Sequence, residues 1–373
     1  MIVIDDPDEE VRPVGPEPAH RRPAVRFRAA LLGALAALLA LLTAWLTLGD
    51  GLDRWRGDPV LDSACDGLLP VAAARAVLGE GRLAERRDPS SAADGTPADH
   101  RCVVAGTGDG GNSVDVAVHR VERGADAVGT PSYPGTDARW PVPLGGGWDG
   151  FFNGVTRTEP RSLDALAAVL VLCPRGATDL LVTVRGVVVD GAMDNPVDRL
   201  RIARLATGTA RASADRFGCG AHPAADPAAI ALPSAADEDV APSDARGACA
   251  GVPAPSGTGR AQARVRESGR GVALRERCEV TSVGADYLRY ELDAYYGPYA
   301  EEVRKRPGAA GDGVLVAAAS CAGGAVPGLY VIRSPWSAEE GASPTYPQRA
   351  LDAFAERSAK ARGCTLRPAD APR

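Results

Sequence analysis

The residues able to do chemistry are few and scattered. The 373-residue chain has four histidines, His20, His100, His119 and His222, and no two stand at a metal-ligand spacing. Neither H-E-x-x-H nor G-x-S-x-G occurs, so the zinc-hydrolase helix and the serine nucleophile elbow have no support. His119 and Asp115 share a strand face and would suit a base and its orienter. Strand positions four apart are ~13 Å distant, however, too far for a direct bond. Asp115, Glu122, Asp149 and Glu159 supply carboxylates of the kind glycoside hydrolysis uses, but no pattern sets two of them across a cleft. Gly106-Thr107-Gly108-Asp109-Gly110-Gly111 matches G-x-G-x-x-G, yet a second strand follows it in place of a helix. Without a helix N-terminus to hold a pyrophosphate, the stretch is expected to be a hairpin turn. No catalytic residue, metal or cofactor is expected.

Cysteine and aromatic placement says more. The eight cysteines are Cys65, Cys102, Cys173, Cys219, Cys249, Cys278, Cys321 and Cys364. Structural zinc sites need close pairs, and the nearest cysteines here are 29 positions apart. An even number therefore points to disulfides in an oxidising compartment. Tyr133, Trp140, Trp148, Phe151 and Phe152 place five of the chain's eighteen aromatics in one Gly- and Pro-rich stretch. Aromatics on loops anchor partners at low entropic cost, so these five are the candidate binding surface; the alternative is cover for a sheet where alanine leaves gaps. Tyr287, Tyr290, Tyr295, Tyr296 and Tyr299 form a second cluster.

These residues need a scaffold, and the chain is long enough for two domains. A formal net charge of −6 argues against a nucleic-acid partner, which needs a basic footprint. Residues 29–48 carry no charge, and twenty residues at 1.5 Å span about 30 Å, a bilayer core. Arg21, Arg22, Arg26 and Arg28 precede them, which predicts a signal anchor with its N-terminus in the cytoplasm. A cleaved secretory signal is the rival, but the apolar run is longer than an h-region and no A-x-A site follows it. Residues 1–28, rich in Pro and charge, are expected to be a disordered cytoplasmic tail. All eight cysteines lie beyond the apolar run, on the outer side of that topology.

The cysteines fall into two sets of four separated by residues 220–248, an Ala/Pro-rich linker expected to be extended rather than packed. The sets read as copies of one unit, residues 62–219 and a more degenerate 249–366. Arg101-Cys102 matches Arg277-Cys278, and an alternating strand follows each: Val114, Val116 and Val118 in one, Leu288, Tyr290 and Leu292 in the other. A small-apolar run precedes each third cysteine, Ala167–Cys173 and Val314–Cys321, and further strands follow at Leu180–Val189 and Leu329–Ile332. Each copy then closes with a helix carrying Gly218-Cys219 or Gly363-Cys364, where the glycine can stop the helix in a left-handed conformation. Asn195-Pro196 suits the start of the first of these helices. Asp62 or Ser63 is expected to cap an opening helix, Leu68 through Leu78, ended by Gly79; the second copy has Pro253, Pro255 and Gly257 there instead. The fold class is therefore α+β: one transmembrane helix, then two related sheet-plus-helix domains with two disulfides each.

Cys65-Asp66-Gly67-Leu68-Leu69, a helix ending Leu78-Gly79, and Cys102 followed by a strand resemble actinobacterial envelope domains, lipoproteins and anchored proteins of mostly unknown function. The layout is more distantly similar to the extracytoplasmic sensor domains of mycobacterial receptor serine/threonine kinases. The resemblance covers residues 62–219 and, more loosely, 249–364, and it implies a sheet with flanking helices and disulfides between sequence neighbours: Cys65–Cys102, Cys173–Cys219, Cys249–Cys278 and Cys321–Cys364. Four cysteines allow three connectivities per domain, so the spacing by itself leaves the pairing open. The chain has no kinase, and its second copy lacks the Leu-Leu segment. Two functional classes follow. One is a non-catalytic binding protein of the cell membrane, its partners the membrane and an envelope protein or wall ligand. The other is a hydrolase of wall polymer.

Overall fold

A computed structural model describes residues 23–48, 59–86, 100–107, 111–122, 140–174, 176, 178–220, 224–232, 239–255, 262–283, 288–305, 313–321, 327–333 and 345–367. The expected tail, up to residue 22, lies outside the described residues, as do Tyr133, Tyr287, His20 and His222. The chain divides into two compact units, 1–52 and 53–373.

In the first unit, α1 (Pro23–Leu48) starts on a proline, whose missing N–H costs nothing in a first turn. It begins six residues before the apolar run. Side chains are described for 32–44, where Leu32, Leu35, Leu38, Leu39, Leu41 and Leu42 are 50–70% exposed. Among the described residues no helix is long and apolar enough to cross a membrane.

The second unit holds two antiparallel sheets and four disulfides, two in each half. The first sheet comprises β1 (Leu83–Arg86), β2 (His100–Gly106), β3 (Ser113–Glu122), β4 (Val142–Pro143), β5 (Asp149–Thr158), β6 (Arg161–Val171) and β7 (Thr178–Val189), in the order β1-β2-β3-β7-β6-β5-β4. The second comprises β8 (Gln262–Glu267), β9 (Arg275–Val283), β10 (Leu288–Tyr296), β11 (Val314–Cys321), β12 (Pro327–Arg333) and β13 (Cys364–Leu366), in the order β13-β11-β12-β10-β9-β8. Reversing the second list aligns β8-β9-β10-β12-β11 with β1-β2-β3-β7-β6, the disulfide cysteines at corresponding places. The slot that the ten-residue β5 fills beside β6 is filled beside β11 by the three-residue β13.

Helices cover one face of each sheet. α2 (Val71–Leu78) and α3 (Pro196–Arg216) lie on the first, burying Val114, Val116, Val118, Leu163, Val182 and Val184 beneath Ile202, Ala203, Ala206 and Ala210. α4 (Pro298–Lys305) and α5 (Tyr346–Ala361) pack with the second over Cys278, Val280, Tyr290, Leu292, Tyr296, Tyr330 and Phe354. Asn195 caps α3 by accepting the Val197 N–H at 3.0 Å. Gly218 and Gly363 take φ +63° and +65° just before Cys219 and Cys364, so each closing helix stops where its cysteine must turn back to the sheet.

Sequence neighbours pair in all four disulfides: Cys65–Cys102, Cys173–Cys219, Cys249–Cys278 and Cys321–Cys364. Cys65, Asp66 and Gly67 are three consecutive left-handed residues, φ 53°, 57° and 78°. That short turn aims Cys65 at β2 and accounts for the Asp-Gly after it, the two residue types that bear this conformation best. The opening helix accordingly starts at Val71, after Pro70, and neither Asp62 nor Ser63 caps it.

Among the described residues between the halves, Pro242–Asp244 form a short 3-10 turn, while 224–232 lack regular structure and are tied to α3. Their Pro-rich backbone leaves carbonyls free of secondary structure, and α3 arginines take them: Arg204 Nε donates to Pro227 O at 3.2 Å and Arg199 Nε to Ile230 O at 3.1 Å. Ile230 is buried against the first core.

Candidate functional site

A concavity for a ligand lies along β5, on an edge that no other described strand covers beyond Phe152. β4 pairs with β5 only at Val142–Phe152 and Pro143–Phe151. The pairing ends there, since Pro141 and Trp140, which come next, belong to no strand. Leu144 N donates to Gly150 O at 3.4 Å, so the even-numbered residues of β5 turn their N–H and C=O toward the β4 side. Beyond Phe152 that leaves Gly154, Thr156 and Thr158 presenting backbone donors and acceptors to a cleft of about 590 Å³.

Two walls flank the edge. One is Ala192–Asp194, between β7 and α3. Met193 N donates to Thr156 Oγ1 at 2.8 Å, which ties this wall to β5. Asp198 Oδ2 receives Ala192 N at 3.4 Å and Asn195 Nδ2 at 2.8 Å, which ties it to the first turn of α3. The other wall is Trp140 with Leu232. Arg199, 5% exposed, joins the two, donating from Nη1 to Met193 O and from Nε to Ile230 O. Burial pulls its guanidinium below the usual arginine range. Gly154 is a steric requirement here: a Cβ would lie 2.7 Å from Met193 Sδ and 2.9 Å from Ala165 Cβ.

The charges of the site fall into two kinds. Arg157 Nη2 donates to Asp164 at 2.6 Å, and Arg185 grips the same carboxylate at 2.9 and 2.7 Å. Burial pushes the Asp164 carboxyl up, but hydrogen bonds from Arg185 and Arg157 outweigh it and hold it below the ordinary carboxylate range. The ladder continues across the sheet, where Asp115 pairs in register with Arg185 and accepts two bonds from Arg101 at 3.1 and 2.8 Å. Arg161, in contrast, lines the cleft without an ion-pair partner among the described residues, while the Asp194 carboxylate acts on the buried Arg199 guanidinium through its charge.

Of the described aromatic candidates, Trp140 alone lines the cleft, 7% exposed and with Arg266 over its ring at 5.7 Å. Trp148 is buried, its Nε1 donating to Ala225 O at 2.7 Å. Phe152 sits in the helix-side core, and Phe151, on the opposite face, meets Tyr299 edge-on at 5.5 Å. Their burial means that much of this stretch touches the second half of the same chain. Arg362 donates to Asp149 at 2.7 and 3.1 Å across the same boundary. Tyr290, Tyr295, Tyr296 and Tyr299 are buried in the second core.

The other chemical candidates do not converge. His100 meets Asp66 at 3.2 Å, His119 is buried on β3, and Glu122 and Glu159 are exposed near strand ends. Asp115 and Asp149 are held by arginines. Among the described residues no group of three or more His, Cys, Asp or Glu could hold a metal, and no cysteine is free. Sequence reasoning missed the cleft residues Thr156, Arg161, Met193 and Leu232, which no local pattern marks. Compared with family models, with curated proteins and with solved structures, the chain matches none.

Proposed function

We propose that the chain is a membrane-tethered envelope protein whose disulfide-stapled part, residues 53–373, faces an oxidising exterior and binds a ligand without transforming it. The observation that carries this reading is the β5 cleft: a strand edge that the described residues leave open between two anchored walls, with Arg161 in its lining. Residues 29–48 serve as the tether; they are uncharged, follow an arginine cluster, and their described leucines lie in the open. An exposed leucine helix favours an apolar solvent over water by about 25 cal/mol per Å². Four disulfides favour the outer side. The duplicated strand order fits an envelope module copied once, with the β5 cleft in the first copy. The wall-hydrolase alternative draws less support, because Asp115 and Asp149 are neutralised by arginines and do not face each other across the cleft.

The test is photocrosslinking from the full chain in its native membrane, with a photoreactive phenylalanine at Val155 or Leu232 and, as control, at exposed Asp215. Specific adducts from the two cleft positions and none from 215 are expected. No adducts, or equal labelling from all three, would contradict a binding role for the cleft.

A further inference from the structure

We infer that the cleft takes an extended peptide, which adds to the first sheet as a strand alongside β5. The inference rests on reading the cleft as a binding site and names the ligand class. Gly154, Thr156 and Thr158 offer an N–H and a C=O each, repeated every ~6.8 Å along the edge. That alternation of donor and acceptor at strand spacing is matched by an extended backbone; a sugar ring or a lone anion matches at most one step of it. The chain itself demonstrates the geometry, since β4 lies antiparallel on the same edge at Phe151 and Phe152 and stops at Pro141. A peptide strand continues that line with backbone bonds for affinity and side chains for selection, the usual division in strand addition.

The walls define the side chains it accepts. Trp140, Met193 and Leu232, the last 46% exposed, make an apolar seat. Arg161 stands at the far end, beside Thr158, without an ion-pair partner among the described residues. The ligand is therefore a segment with an apolar residue near the Gly154 end and a carboxylate near the Thr158 end. Proline at the ladder positions is excluded, because those N–H groups are used.

The experiment pans phage-displayed random octapeptides on the full chain in detergent micelles, then measures the enriched sequences as synthetic peptides with N-methyl groups moved along the backbone. Strand addition predicts alternation: N-methylation at every second residue weakens binding about tenfold or more, and at the residues between about threefold or less. Arg161→Glu should weaken acid-bearing peptides about fivefold. Thr156→Pro removes an outward N–H and leaves the β6 ladder intact, so it should abolish binding, whereas Thr156→Ala, which loses only the Oγ1 tie to Met193 N, should retain more of it. Leu232→Glu, at an exposed position, gives the same reading should Thr156→Pro not fold. Peptides that bind with no dependence on N-methyl position overturn strand addition while the cleft remains a binding site. A failure to enrich any peptide overturns the peptide inference, and the crosslinks from 155 and 232 then report separately on whether the cleft binds anything.

Discussion

Arg362 and Asp149 stand 213 residues apart and meet in a two-pronged ion pair of 2.7 and 3.1 Å, with the guanidinium also lying 3.8 Å from the centre of the Tyr296 ring. The pair fastens the C-terminal end of α5 to the first residue of β5, so the second half of the chain holds one end of the strand whose other end forms the cleft. The arginine side chain is 6% exposed and the aspartate 21%.

Arg362→Ala leaves Asp149 without its partner in a largely closed site, and urea unfolding should show a loss of about 2–4 kcal/mol. Lysine cannot reproduce the two-pronged grip or the stacking, so Arg362→Lys should recover less than half. The cycle with Asp149→Ala should return a coupling above about 1 kcal/mol. A coupling near zero would mean the halves are held together elsewhere.

Glu267 anchors the turn that opens the second half. Its carboxylate accepts the N–H of Arg246, Gly247 and Cys249 at 2.8, 2.7 and 2.7 Å, fixing the turn that delivers Cys249. Glu85 does the same for Cys65 with one bond of 3.2 Å. Glu267→Ala should therefore cost about 2–3 kcal/mol and Glu85→Ala about 1, by thermal or urea unfolding. Equal losses would contradict the difference in bond count.

Asp293 is fully buried on β10. Burial pushes its carboxyl up, but Arg277, Arg275 and Arg333 outweigh this and hold it well below the ordinary carboxylate range. A carboxyl depressed in the folded state contributes stability above its unfolded value of about 3.9 and loses it as pH falls further. Stability should thus be insensitive to this group from pH 5 to 8 and fall below about pH 4. Asp293→Asn should lower stability at pH 7 by about 2–4 kcal/mol and flatten the acid-side slope. An unchanged slope in urea titrations between about pH 4 and pH 2.5 would assign acid sensitivity to other carboxylates.

Each disulfide closes a loop of 29 to 46 residues, worth about 3–4 kcal/mol in chain entropy. Peptide mapping without reductant should return four nearest-neighbour pairs. A Cys102–Cys173 peptide would overturn the connectivity. Replacing Cys321 and Cys364 together by serine should lower the midpoint of unfolding, with the first sheet's amide protection retained.

Much of the fold was legible because its signals are local. Period-two alternation marks β3 and β10, and Gly218 and Gly363 mark the helix ends. The Arg-Cys identity at 101 and 277 pointed to duplication, though the reason for the arginine is non-local: each grips an aspartate on the neighbouring strand, Asp115 or Asp293, with two bonds. The cleft was illegible for the same reason. Its walls come from residues 140, 154–158, 192–194 and 232, brought together by strand pairing and by the two bonds of Arg199, which no sequence spacing encodes. The aromatic stretch was visible as a contact surface, but much of what it contacts is the chain's own second half, more than 100 residues away.

Among the described residues the β5 edge is open beyond Phe152, and amide hydrogen exchange of the unliganded full chain measures that directly. Val155 and Arg157, whose N–H groups face β6, and Phe152, which faces β4, should be protected. Gly154, Thr156 and Thr158 should exchange at least about a hundredfold faster. Uniform protection from 152 to 158 would mean the edge is already covered and would contradict the account.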